Sequence, residues 1–185
     1  MSDAVVLPGR AWGVGAPLPR FTGDLAEERG ATVHRLSWAG SPPDVSDVYA
    51  QRWVCDQVLP VLDRIGGRPL LIGKSLGTRA SVLAAERDLP AVWVSPLLAS
   101  PLVTAGLRRA TAPFLLVGGT ADQIWDGALA RRLTPHVFEV AGADHRMAVP
   151  GPVRASIAML AQVVAAMGEF LDEIGWPGYQ ARPAG

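Results

Sequence analysis

Leu70-Leu71-Ile72 and Phe114-Leu115-Leu116-Val117 are unbroken apolar runs, too short for helices and without the alternation of a half-solvated strand. A strand written this way is buried on both faces, the habit of a parallel sheet clothed by helices. The remainder of the chain follows suit. Strands are expected near residues 4–7, 32–38, 69–72, 91–95, 113–117 and 137–140, and helices near 18–29, 47–65, 76–87, 125–133 and 153–174. Pro60 is expected to kink or split the second helix, because it removes one backbone bond and clashes one turn back. Strands alternating with helices predict a three-layer α/β/α sandwich around a mainly parallel sheet of about six strands. Right-handed crossovers then bring the C-terminal strand ends to one edge, beyond which open sheets bind ligands.

The 185 residues fit one domain, read as residues 1–175, with a Pro- and Gly-rich tail over 176–185 expected to be loosely held. With 49% apolar residues a sizeable core is available, which rules against a disordered chain. Seventeen basic and 17 acidic side chains cancel without forming a run of either sign. The sequence therefore offers neither the basic patch of a nucleic-acid binder nor the basic amphipathic helix of a membrane-surface protein. Cys55 is the single cysteine, which excludes an intrachain disulfide and a cysteine-built metal cluster; it reads as a small buried residue. The N-terminus lacks the basic start and apolar stretch of a signal peptide. Residues 157–171 are apolar but include Gln162, Gly168 and Glu169, and read as a buried helix rather than a lipid-facing span. A cytoplasmic location is expected, with no membrane and no nucleic acid as partner.

Gly73-Lys74-Ser75-Leu76-Gly77 follows one of the apolar strands and opens a helix. A Gly-x-Ser-x-Gly sequence in that setting holds a serine on a sharp, crowded turn, with a helix N-terminus behind it to receive developing negative charge. The same residues overlap the end of a Walker A phosphate loop. That motif needs glycine five residues before Gly73, where Arg68 stands, and a flexible loop where a strand is expected. A serine nucleophile needs a base. Of the three histidines, His34 falls mid-strand and His136 begins the last strand at the wrong edge. His145 follows that strand's C-terminal end. Asp122 leaves the strand over 113–117 at the same edge and is the candidate to orient His145; a helix cap is its alternative role. Asp126, one turn into the next helix, and Asp144, adjacent to the histidine, are less well placed.

The order Ser75, Asp122, His145, each beyond its strand, resembles the catalytic triad of the α/β-hydrolase superfamily, and the resemblance spans residues 4–174. The loop Leu7-Pro8-Gly9-Arg10-Ala11-Trp12-Gly13 carries Pro8 where that superfamily often has histidine. In this it is similar to small bacterial, dienelactone-hydrolase-like members. The resemblance implies a serine hydrolase acting on a small ester or thioester, with oxyanion-hole amides from Leu76 and Arg10 and no metal or organic cofactor. A non-hydrolytic protein of the same fold, a pseudoenzyme or binding partner, is the alternative. Only residues 96–112 separate the strand near 91–95 from the next, which predicts one short helix, no cap domain and a shallow, open pocket. Trp12 and Trp125 flank the expected site and either wall the substrate or pack in the core. Lys74 is expected to face solvent or be paired. Trp38, Trp53 and Trp93 read as core.

Overall fold

In the computed structural model, residues 2–11, 13 and 15–178 are described. Six strands form one sheet in the order β2-β1-β3-β4-β5-β6, every neighbouring pair parallel. They are β1 (Asp3–Leu7), β2 (Thr32–Arg35), β3 (Leu70–Lys74), β4 (Ala91–Val94), β5 (Phe114–Gly119) and β6 (Val137–Val140). Alternation along each strand sorts side chains into two cores. Val5, Leu71, Trp93 and Leu116 face one, whereas Val6, Ile72, Val94 and Val117 face the other. The first core is closed by α2 (Ala50–Ile65), α3 (Ser81–Arg87), α4 (Pro101–Arg109) and α5 (Gly127–Leu133); the second by α1 (Pro17–Glu28) and α6 (Val153–Glu173). The predicted three-layer parallel architecture is present, with α4 as the only helix between β4 and β5.

Four local expectations are corrected. Pro60 does not split α2, which runs unbroken; Pro60 and Asp56 both face outward, so water can satisfy the carbonyl that loses its partner. The α6 helix is not buried all round. It seats Met159, Val163, Met167, Phe170 and Leu171 against the sheet while Val153 and Ile157 stay exposed. By length and composition alone α6 could cross a membrane, yet here it is a layer of the sandwich. His34 is not packed in the sheet interior: β2 is an edge strand, and the half-buried ring meets Asp3 at 2.8 Å. Trp176, expected in a loosely held tail, is buried in the second core, and its backbone N–H donates to the Leu171 carbonyl. An indole is too large an apolar surface to leave wet when a helix end offers cover.

Candidate active site

All strands run the same way, so Leu7, Lys74, Val94, Gly119 and Val140 end at one rim of the sheet. Ser75 begins a 3₁₀ turn (Ser75–Ala80) directly after β3. Its φ of 49° is left-handed, a conformation that costs a residue with a Cβ about 1–3 kcal/mol and marks it as held there by its surroundings. The flanking glycines permit the turn. A Cβ on Gly73 would stand 2.5 Å from the Trp93 ring, and one on Gly77 would stand 2.7 Å from the Leu7 carbonyl oxygen. Thr78 braces it from below: its hydroxyl donates to the Ser75 carbonyl (2.6 Å) and accepts from the Leu97 N–H (3.3 Å).

Ser75 Oγ lies 2.8 Å from His145 Nε2, and His145 Nδ1 lies 2.8 Å from Asp122 Oδ2. The Asp122 side chain is 1% exposed, and its Oδ1 accepts from the Ile124 N–H at 2.9 Å. Burial alone would raise its pKa. The His145 hydrogen bond, the Ile124 amide and the charges of His145 and Lys74 outweigh burial and hold the carboxyl below its ordinary value. An ionised Asp122 accepts from Nδ1–H, which leaves the Nε2 lone pair free to accept the Ser75 proton. The cap of α5 belongs to Asp126 instead, whose carboxylate accepts from the Leu129 N–H at 2.8 Å. Asp144 has a separate task. Its Oδ1 accepts from the Arg146 and Ala148 amides, both at 2.9 Å, and so shapes the loop that carries His145.

Lys74 is buried and paired rather than solvent-facing: its Nζ donates to the His145 carbonyl at 2.9 Å. The strand's alternation gave no sign of this, because the reach to the neighbouring loop is tertiary. Burial brings the Lys74 pKa down to about 8, against the upward pull of Asp122 and Asp144. A lysine in the unfolded chain titrates near 10.4. Between about pH 8 and 10 the unfolded state therefore binds more protons than the folded one, and the contribution of this group to stability rises with pH. The cost of the buried cation is present below pH 8 and relieved above it. Thermal melts of the wild type and Lys74→Met from pH 7 to 10 should show the wild type gaining on the variant, by up to about 3 kcal/mol. A difference that stays flat would mean that the amine titrates as in water.

The remaining expected residues divide. Leu76 is fully buried at the start of the 3₁₀ turn, beside Ser75. The loop after β1 lies against the serine, since a Cβ on Gly9 would be 3.6 Å from Ser75 Cβ. Trp38, read as core, is half-buried and donates its indole N–H to the Gly9 carbonyl at 3.3 Å, fixing that loop next to Arg10. The Arg10 side chain points to Asp44, at 3.9 Å. Trp12 lies outside the described residues. Trp125 is taken by packing: its ring covers Gly118, leaving no room for a Cβ there (2.1 Å), and its N–H donates to Glu139 at 3.0 Å. A 460 Å³ cavity walled by residues 45–48 and 97–102 shares Ile124 with the groove that holds Asp122 and His145. Cys55 is no rival nucleophile, because burial pushes its thiol up to about 11.

No protein-family model matches the chain, and no curated protein sequence does. Solved structures share its fold. Est1E from Butyrivibrio proteoclasticus is 16% identical, with 93% of this chain and 87% of that one covered and a TM-score of 0.69; another Est1E structure has ferulic acid bound. XC6422 from Xanthomonas campestris, an α/β serine hydrolase without a lid, is 13% identical over 99% and 86% of the two chains, with a TM-score of 0.68. Mouse α/β hydrolase domain-containing protein 10 is 15% identical over 93% and 90%, with a TM-score of 0.67. The architecture is the α/β-hydrolase fold without a cap.

Proposed function

We propose that this chain, built on the lidless α/β-hydrolase fold, is a serine hydrolase that cleaves a small ester or thioester through an acyl-enzyme on Ser75. The observation that carries the reading is the continuous hydrogen-bonded line from Ser75 Oγ through His145 to Asp122, with 2.8 Å at each step. Ser75 Oγ attacks the carbonyl carbon as its proton passes to His145 Nε2, and Asp122 stabilises the imidazolium. The amides of Leu76 and Arg10 hold the oxyanion. When the tetrahedral adduct collapses, His145 gives the proton to the departing alkoxide or thiolate. Water then attacks the acyl-serine with His145 as base, and the proton returns to Ser75 as the carboxylic acid leaves. The ferulic acid in Est1E, a carboxylic acid of the kind that ester hydrolysis releases, supports an ester as the substrate class. The cytoplasmic setting expected from the sequence belongs to the same proposal.

A fluorophosphonate probe tests it. Mass spectrometry should find one adduct, on Ser75, and p-nitrophenyl acetate or butyrate, or an acyl thioester, should be turned over with a burst of one equivalent per chain. An intact fold that gives neither adduct nor turnover would remove the hydrolase reading.

A further inference from the structure

The 460 Å³ cavity beside the triad is apolar over most of its wall, with Val45, Leu97, Pro101, Leu102 and Ile124 among its lining residues. One residue in that wall is out of character. Arg79 is 3% exposed, and its side chain makes a single hydrogen bond among the described residues, from Nη2 to the Val45 carbonyl at 2.5 Å. Its Nε is buried with no hydrogen-bond partner among the described residues. A guanidinium removed from water is costly unless a planar anion meets its fork of donors.

The carboxylate in the same wall does not serve. Asp47 acts on Arg79 through its charge but forms no salt bridge with it among the described residues, and one of its oxygens accepts from the Tyr49 N–H at 2.8 Å. Asp47 is also only partly buried, so water weakens its hold on the arginine. A second feature has the same sign: Ser100 and Pro101, at the N-terminal end of α4, face the cavity, and the Ser100 side chain does not cap its own helix. The first turn of α4 thus adds a positive dipole end to that of the arginine. Arg79 follows Ser75 by four residues of 3₁₀ helix, about 8 Å of backbone rise, a separation that suits a short acyl chain.

We propose that the cavity receives a carboxylate at the end of the acyl chain, so that the substrate is a half-ester or half-thioester of a short dicarboxylic acid, held by Arg79 with its ester carbonyl at Ser75. This rests on the hydrolase reading and adds the charge and length of the acyl group to it.

Two measurements test the inference, one of them independent of turnover. Ser75→Ala, titrated calorimetrically with monomethyl glutarate and with dimethyl glutarate, should bind the half-ester about tenfold to a hundredfold more tightly. Equal affinities, or no binding of the half-ester, would overturn the inference whether or not the protein is a hydrolase. In the wild type, kcat/KM for p-nitrophenyl hemiglutarate should exceed that for p-nitrophenyl 5-oxohexanoate, of matched shape and no charge, by a similar factor. Arg79→Met should collapse that ratio, and Arg79→Lys should restore part of it. A wild type that hydrolyses both esters equally well keeps its place as a hydrolase and loses the carboxylate site. Fluorophosphonate labelling of Ser75 in each Arg79 variant reports whether the rim has kept its fold.

Discussion

Ser75→Ala is expected to lower kcat on a p-nitrophenyl ester by five to six orders of magnitude, about the loss seen when a hydrolase nucleophile is removed. The size follows from what the hydroxyl does. In the proposed mechanism it forms the bond to the acyl group, and its proton goes to His145, which Asp122 orients. What survives is the help of oxyanion donors and binding, which act on water attack alone. Stability should change little. His145 is about one-third exposed, so water can replace the lost partner, and alanine is strained at φ 49° as serine is. Asp122→Asn should cost about ten-thousandfold, because the amide disfavours the tautomer that leaves Nε2 unprotonated. Steady-state kinetics beside calorimetric melting separate the two quantities. A Ser75→Ala protein within tenfold of the wild type would place the nucleophile elsewhere.

Gly119→Ala should do the most damage of any single methyl on the rim. Gly119 ends β5, and an added Cβ would stand 2.1 Å from the Ala143 carbonyl oxygen and 2.6 Å from its carbon. Backbone cannot rotate away as a flexible side chain can. The Ala143 carbonyl is also committed, since it accepts from the Ala121 N–H at 3.0 Å, one residue before Asp122. Relief therefore means pushing the 141–145 segment outward, which breaks that bond and carries His145 away from Ser75. A loss of about 2–4 kcal/mol in stability is expected from overpacking a dry backbone contact. A fall in kcat of a hundredfold or more is expected in the fraction that stays folded, given what a 1 Å misplacement costs catalysis. Chemical denaturation gives the first, and turnover well below the unfolding midpoint gives the second. A variant as stable and active as the wild type would mean that the two loops are not in contact.

How far the site could be read in advance depended on whether a residue's place follows from strand direction. Ser75, Asp122 and His145 could be read because each lies a few residues beyond a strand, and parallel strands end at one rim. The same logic set aside His136, which stands before β6 and meets Glu173 and Phe170 at the far edge. Residues whose role depends on how loops fold back could not be read. Nearness to Asp122 in sequence leaves Trp125 open between walling the substrate and packing in the core, and it is the tight turn between Asp122 and the Asp126 cap that decides for packing by laying its ring over Gly118. Lys74 and Trp38 each act on a loop from another part of the chain. The cavity walls come from residues 45–48 and 97–102, segments with no periodic pattern to announce them.

The sheet order has a consequence for a chain emerging from the ribosome. The proposed nucleophile Ser75 is translated 70 residues before the proposed base His145, and β6, which leads to His145, is an edge strand that can only dock on a finished β5. Every neighbour-to-neighbour pairing crosses over through at least one helix, so assembly is intrinsically slow. A nascent chain stalled before residue 137 would present Ser75 on its turn with nothing to take its proton. The proposed hydrolase activity would then be a late reporter, silent until the last strand is in place.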